Sequence, residues 1–276
     1  MGLPLIYGPS PLVYPGGAAG FDPSHPAAKG TVISTVASGA NHINLLTGQA
    51  GSTTGSVPTA VIDGHIGPAM NCLGFEFSTF AGAIPPDGGV GSAVTLAAIF
   101  TRTSASTLYS GVCQTGAGNT GFALNFYGSN VLKFEAPGAG GVVGNATAIG
   151  SITLLSSVPY FVAASYSQAI ATVNFVVTNL LTGQIQTQVV TGATGTPLAG
   201  GTYYAGYAAG SYNSLGPLAT TMASYAYTIL PQLVKWAQRP WDFWRPPTVT
   251  NLIFSSLRAP LIAGHKRSFG TFMGRP

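Results

Sequence analysis

Charge is what this chain has least of. Its 276 residues include only ten Lys and Arg and six Asp and Glu, 6% of the total. For a compact chain of this mass that is one charge per roughly 700 Å² of surface, against about 160 Å² at ordinary composition. A free-standing, highly charged cytosolic enzyme does not fit such a surface. Highly charged disorder is excluded as well, because 46% of the residues are hydrophobic. A coiled coil or long-helix protein is excluded by 38 Gly and 20 Pro, with Glu and Lys nearly absent. Cysteine is scarce too. Cys72 and Cys113 make one disulfide at most and no zinc cluster, and they read as small buried hydrophobes. No apolar run approaches about 18 residues, so no membrane-spanning helix is expected. The opening Met1-Gly2-Leu3-Pro4-Leu5-Ile6-Tyr7 has neither a basic stretch nor a long apolar one, so no signal peptide is expected.

What the chain does have is short apolar segments separated by turn residues. Residues 1–30 read as an irregular arm, because Pro4, Pro9, Pro11, Pro15, Pro23 and Pro26 crowd among glycines. Beyond them, strands are expected at 31–36, 59–62, 74–80, 93–102, 108–113, 122–127, 132–136, 160–166, 171–178, 184–190, 203–207 and 222–229. Phe122, Leu124 and Phe126 alternate with Ala123, Asn125 and Tyr127, the period of a sheet with one buried and one wet face. Gly128-Ser129-Asn130 and Leu181-Thr182-Gly183 read as hairpin turns. Many short strands and almost no helix imply an all-β fold of two packed antiparallel sheets, a jelly-roll sandwich. The hexapeptide Asn-Leu-Leu-Thr-Gly-Gln occurs at both Asn44–Gln49 and Asn179–Gln184. It reads as a recurring turn rather than an internal duplication. One short helix is expected at 231–238, with Pro231 in its first turn and Leu233, Trp236 and Ala237 on one face.

Charge is unevenly distributed. From Lys235 onward, Lys235, Arg239, Arg245, Arg258, Lys266, Arg267 and Arg275 face Asp242 alone, while the rest of the chain is close to neutral. Trp236, Trp241 and Trp244, all the tryptophan there is, open the same segment. Two readings stay open: the rings cap the sandwich core, or Trp and Arg together anchor an interface. The interface set is Trp236, Arg239, Trp241, Phe243, Trp244 and Arg245, with Arg258, Lys266 and Arg267 in a basic arm. Seven cations over this length are too thin a footprint for a nucleic-acid surface.

Catalytic chemistry is hard to find. The carboxylates Asp22, Asp63, Glu76, Asp87, Glu135 and Asp242 form no pair placed to cleave a glycosidic bond. Glu76 reads as solvated on its strand, and Glu135 with Lys133 as a surface ion pair contributing under about 1 kcal/mol. Asp63-Gly64-His65 reads as a turn, and His25, His42 and His265 show no ligand spacing. Glycine-rich stretches such as Gly138–Gly144 lack the Lys of a phosphate-binding loop. No catalytic residue, cofactor or metal is expected.

Several segments resemble LamG-like or concanavalin A-like jelly-roll domains. They are Phe75-Glu76-Phe77-Ser78-Thr79-Phe80, Thr95–Phe100, Gly121–Phe126 with Leu132-Lys133-Phe134, Pro159–Tyr166 and Val173–Gln184. The close from Leu233 through Trp236 and Pro240-Trp241 to Trp244 resembles that of LamG-like proteins of tailed bacteriophages. Acidic residues that bind calcium or cleave sugars in some relatives have no matched positions here. The resemblance implies a non-enzymatic virion protein, made in the host cytoplasm: a capsid decoration or a head, neck or tail component. An arm (1–30), a sandwich (31–247) and a basic arm (248–276) would dock on other virion proteins, with a homo-oligomer in the particle. The alternative is a carbohydrate-binding module for a host receptor or surface glycan, with Tyr203, Tyr204, Tyr207 and Tyr212 stacking on sugar rings.

Overall fold

The computed structural model describes residues 20–54, 59–74, 76–84, 93–103, 110–116, 121–127, 131–136, 147–195, 201–208 and 213–244. Its strands are β1 (Thr31–Ser38), β2 (Asn41–Asn44), β3 (Ser52–Thr54), β4 (Thr59–Asp63), β5 (Gly67–Gly74), β6 (Phe77–Ala81), β7 (Ala93–Arg102) and β8 (Ser110–Thr115). They continue as β9 (Ala123–Tyr127), β10 (Val131–Glu135), β11 (Thr147–Thr153), β12 (Val158–Ser167), β13 (Thr172–Asn179), β14 (Ile185–Thr191), β15 (Thr202–Ala205) and β16 (Asn213–Ser224). Among the described residues a single α-helix, α1 (Leu230–Gln238), is followed by a 3-10 turn at Pro240–Trp244, and a shorter 3-10 turn lies at Pro26–Ala28.

The strands form two antiparallel sheets, as expected of a jelly-roll sandwich. One has the order β14-β13-β12-β7-β16-β1-β2, with the β4–β5 hairpin joined to β16. The other has the order β11-β10-β9-β8-β15-β6-β3. Between them lies the main core, where Leu96 and Phe100 of β7, Val162 and Tyr166 of β12, and Phe175 of β13 meet Leu124, Phe126, Leu132 and Phe134.

The nine-stranded sheet departs from the one-wet-face expectation. Its outward residues Ala97, Ile99, Phe161, Ala163 and Val176 are buried too, under Leu233, Trp236, Trp241, Phe243 and Trp244. The molecule therefore has three layers. Leu233, Trp236 and Ala237 form the inward face of α1, and Thr178 Oγ1 donates to the Ala237 carbonyl (2.8 Å), satisfying one acceptor at the helix end. Arg239, at φ −140° and ψ 64°, leaves helical geometry ahead of Pro240 and ends the helix.

Residues 20–28, part of the expected N-terminal arm, pack into this outer layer. The Phe21 ring meets Phe243 edge-on at 5.3 Å, and His25 meets Phe243 and Trp236 at 5.5 and 5.4 Å. Gly20 N–H donates to the Trp244 carbonyl (2.9 Å) and Asp22 N–H to that of Phe243 (3.1 Å). The chain thus enters the described region alongside the place where it leaves.

Candidate functional site

With the helix covering one sheet, the outer face of the other carries a group of neighbouring aromatic side chains. Alternation along β15 turns Tyr203 and Ala205 into the core and Tyr204 outward, opposite Thr79 of β6 and Gln114 of β8. On β6 the core takes Phe80, so Phe77 and Thr79 face outward with Tyr204.

After β15 the chain crosses over β8 at Gly111. A Cβ there would lie 1.9 Å from the Ala208 nitrogen, so no larger residue allows this crossing. The crossing brings Tyr207 onto Phe77, stacked at 4.5 Å, with Tyr204 5.5 Å from Tyr207 and 6.0 Å from Phe77. Phe77 is buried, while Tyr204 and Tyr207 are half-buried. Burial, and then the neighbouring Tyr207, push the Tyr204 phenol above its usual range, so it stays a neutral hydroxyl near pH 7. Such a cluster offers ring faces to an apolar C–H surface and hydroxyls to its rim. Of the four tyrosines expected to stack on sugars, Tyr204 and Tyr207 stand in this cluster. Tyr203 is sealed in the core, and Tyr212 lies outside the described residues.

Farther along the same face, the expected surface ion pair proves to be buried. Lys133 Nζ contacts Glu135 Oε1, and Asn125 Nδ2 donates to Glu135 Oε2 (2.9 Å). Their exposures are 8% for Lys133, 6% for Glu135 and zero for Asn125. Alternation places both charges outward, yet it specifies only the face and not whether water reaches it. Glu76 is half-buried and precedes β6 rather than lying on a strand, so its solvated strand position is corrected as well.

The other expected site residues lie in the outer layer of the nine-stranded sheet. Trp236, Trp241, Phe243 and Trp244 come together and are buried, with ring centroids 5.1 Å apart for Trp236–Phe243 and 4.9 Å for Phe243–Trp244. Arg239 is exposed, its Nη1 3.9 Å from Asp242 Oδ2. Arg245, Arg258, Lys266 and Arg267 lie outside the described residues.

Among the described residues, no three His, Cys, Asp or Glu side chains gather as metal ligands. Asp63 accepts from the backbone N–H groups of His65 (2.8 Å) and Ile66 (3.1 Å) and from Thr101 Oγ1 (2.7 Å), which makes it the organiser of the β4–β5 turn. Cys72 and Cys113 are free and buried, and desolvation pushes both thiols up, that of Cys113 to about 12. His42, missed by sequence reasoning as a site of interest, bridges the two sheets. Its Nε2–H donates to the Leu218 carbonyl (3.2 Å), and its Nδ1 meets Ser78 Oγ at 3.1 Å.

No family model and no curated protein matches the chain. Solved structures do. Tailspike protein 2 of an Escherichia coli O157:H7 bacteriophage is similar with a TM-score of 0.51 and 16% identity, covering 72% of this chain and 28% of that one. The binding domain of botulinum neurotoxin serotype D is similar with a TM-score of 0.50 and 10% identity, covering 76% and 51%. The chain thus spans between about a quarter and about half of these relatives, 28% and 51%. The likeness is one of fold. No helix among the described residues is long and apolar enough to cross a membrane.

Proposed function

We propose that this chain is a non-enzymatic structural component of a tailed-phage particle, docked on neighbouring virion proteins through the segments that flank Gly20 and Trp244. The observation that carries this reading is the pairing of Gly20 and Asp22 with Trp244 and Phe243 in the layer over one sheet. Both flanking segments then start from one place, and the opposite sheet faces away from the anchor. The tailspike resemblance supports the same reading at the level of fold. Five of the ten cations, Arg245, Arg258, Lys266, Arg267 and Arg275, lie beyond Trp244 with no acidic residue among them, which gives the second docking segment a positive charge to set against an acidic neighbour. Removing residues 1–19 and 245–276 should leave a folded protein that no longer enters particles. Unimpaired incorporation of that shortened chain would overturn the reading.

A second reading is favoured by one specific observation, the Phe77–Tyr204–Tyr207 cluster on the sheet opposite the anchor. There the protein binds a saccharide by ring stacking and serves in attachment. The likeness to a tailspike and to a toxin binding domain supports an attachment role at the level of fold. A glycan panel decides it: Tyr204→Ala and Tyr207→Ala should abolish a response that the unsubstituted protein shows. Silence across the panel would remove the idea.

A further inference from the structure

Helix α1 has a second side. Its outward residues Gln232, Lys235 and Arg239 line a cleft of about 310 Å³, together with Trp236, Asp242 and His25-Pro26 from the N-terminal segment. That volume lies at the small end of the range for small-molecule sites, about 300–1,000 Å³.

Among the described residues, exposed positive charge is concentrated here. Five Lys and Arg occur among the described residues: Lys29, Arg102, Lys133, Lys235 and Arg239. Arg102 is buried with its guanidinium over the Phe126 ring at 4.5 Å, and Lys133 is buried against Glu135. Of the three exposed cations, Lys235 and Arg239 line this one cleft, Arg239 with its Nη1 3.9 Å from Asp242 Oδ2.

The rest of the lining restricts what the cations can hold. Ala27 N–H donates to His25 Nδ1 (3.1 Å), so the neutral ring carries its proton on Nε2 and offers a donor. Burial holds His25 below its ordinary pKa against the opposing pull of Asp22 and Asp242. The Asp242 carboxylate repels a dianion such as phosphate, while it accepts hydrogen bonds from hydroxyl groups. Pro26 and the edge of Trp236 add an apolar wall.

We propose that this cleft binds a small hydroxylated carboxylic acid of the uronic-acid class. Its carboxylate pairs with Lys235 and Arg239, and its hydroxyls meet Asp242 and Gln232. This site lies on the covered sheet, away from the tyrosine cluster, and does not depend on either reading above.

Trp236 supplies the probe, because its indole N–H donates to the Pro240 carbonyl (3.2 Å) inside the cleft wall. Full-length protein is titrated with glucuronate, galacturonate, glucose, glutamate and acetate while that indole resonance is followed by NMR. Both uronates should shift it saturably and glucose should not. Lys235→Gln with Arg239→Gln, both exposed and expected to leave the fold intact, should weaken uronate binding by about tenfold or more. Asp242→Asn should reduce the preference for glucuronate over acetate. An equal response to acetate, a response to glutamate without one to uronate, no saturable shift, or full binding by the doubly substituted protein would overturn the proposal.

Discussion

Burying an imidazole between two sheets makes this fold sensitive to acid at a single residue. Burial lowers the pKa of His42 from 6.5 to about 4, against a smaller upward pull from its hydrogen bond to Leu218. The unfolded chain therefore takes up a proton at a pH where the folded chain refuses it. Stability is full above about 6.5, falls as the pH drops toward about 4, and the loss amounts to about 3 kcal/mol. Urea unfolding across that range should show the slope, and His42→Gln should flatten it. Lys133 and Glu135 make a different residue-scale prediction. Glu135→Ala removes the carboxylate from beside a buried ammonium and should cost about 3–5 kcal/mol, whereas replacing both by Met and Leu should be close to neutral. Thermal unfolding of the two variants tests the contrast. Neither feature was legible from the strand pattern. Alternation shows which way Lys133 and His42 point, but enclosure depends on what distant segments place over them.

Among the elements, the repeated hexapeptide is the clearest case of local sequence determining local structure. In both copies the asparagine side chain accepts from the backbone two residues on, Leu46 at 3.0 Å and Leu181 at 2.9 Å. In both, the glycine N–H donates to the asparagine carbonyl, at 2.7 Å for Gly48 and 2.8 Å for Gly183. Both glycines sit at φ +73°, with open space at Gly48. Gly48→Ala and Gly183→Ala should therefore each cost about 1–2 kcal/mol, and Asn at either position should recover most of that. Chemical denaturation of the four variants measures it. Strand β7 coincides with its sequence expectation because Ala93–Phe100 is apolar at every position but Thr95, with no Gly or Pro to interrupt it. Strand β16 was legible only in its last few residues. Gly216 and Pro217 interrupt the pattern, and the structure absorbs them in a register shift between Ser214 and Gly216. Strand β5 was hidden in the same way by Pro68, and β2 and β3 by their brevity. Helix α1 was legible, one residue short at its start.

At the scale of the whole molecule, the third layer is what composition did not reveal. A sandwich with one sheet covered explains how so few charges suffice, since the nine-stranded sheet is wetted on neither face over β7, β12 and β13. The third layer also includes residues 20–28, ahead of the sandwich start expected at residue 31. A chain of residues 20–244 should unfold in one cooperative transition. A chain starting at residue 29 loses Phe21, His25 and Ala27 from the layer and should be less stable by about 3 kcal/mol. Calorimetry of the two distinguishes them.

The pairing of Gly20 with Trp244 also has a mechanical meaning. The bonds from Gly20 to Trp244 and from Asp22 to Phe243 run antiparallel, so tension applied through the two flanking segments meets them in turn, as in unzipping. A load between those segments falls first on two hydrogen bonds and the outer layer, before it reaches the strands of either sheet. Under such a load the protein would yield early where the two flanking segments meet, while the sandwich beyond stays intact.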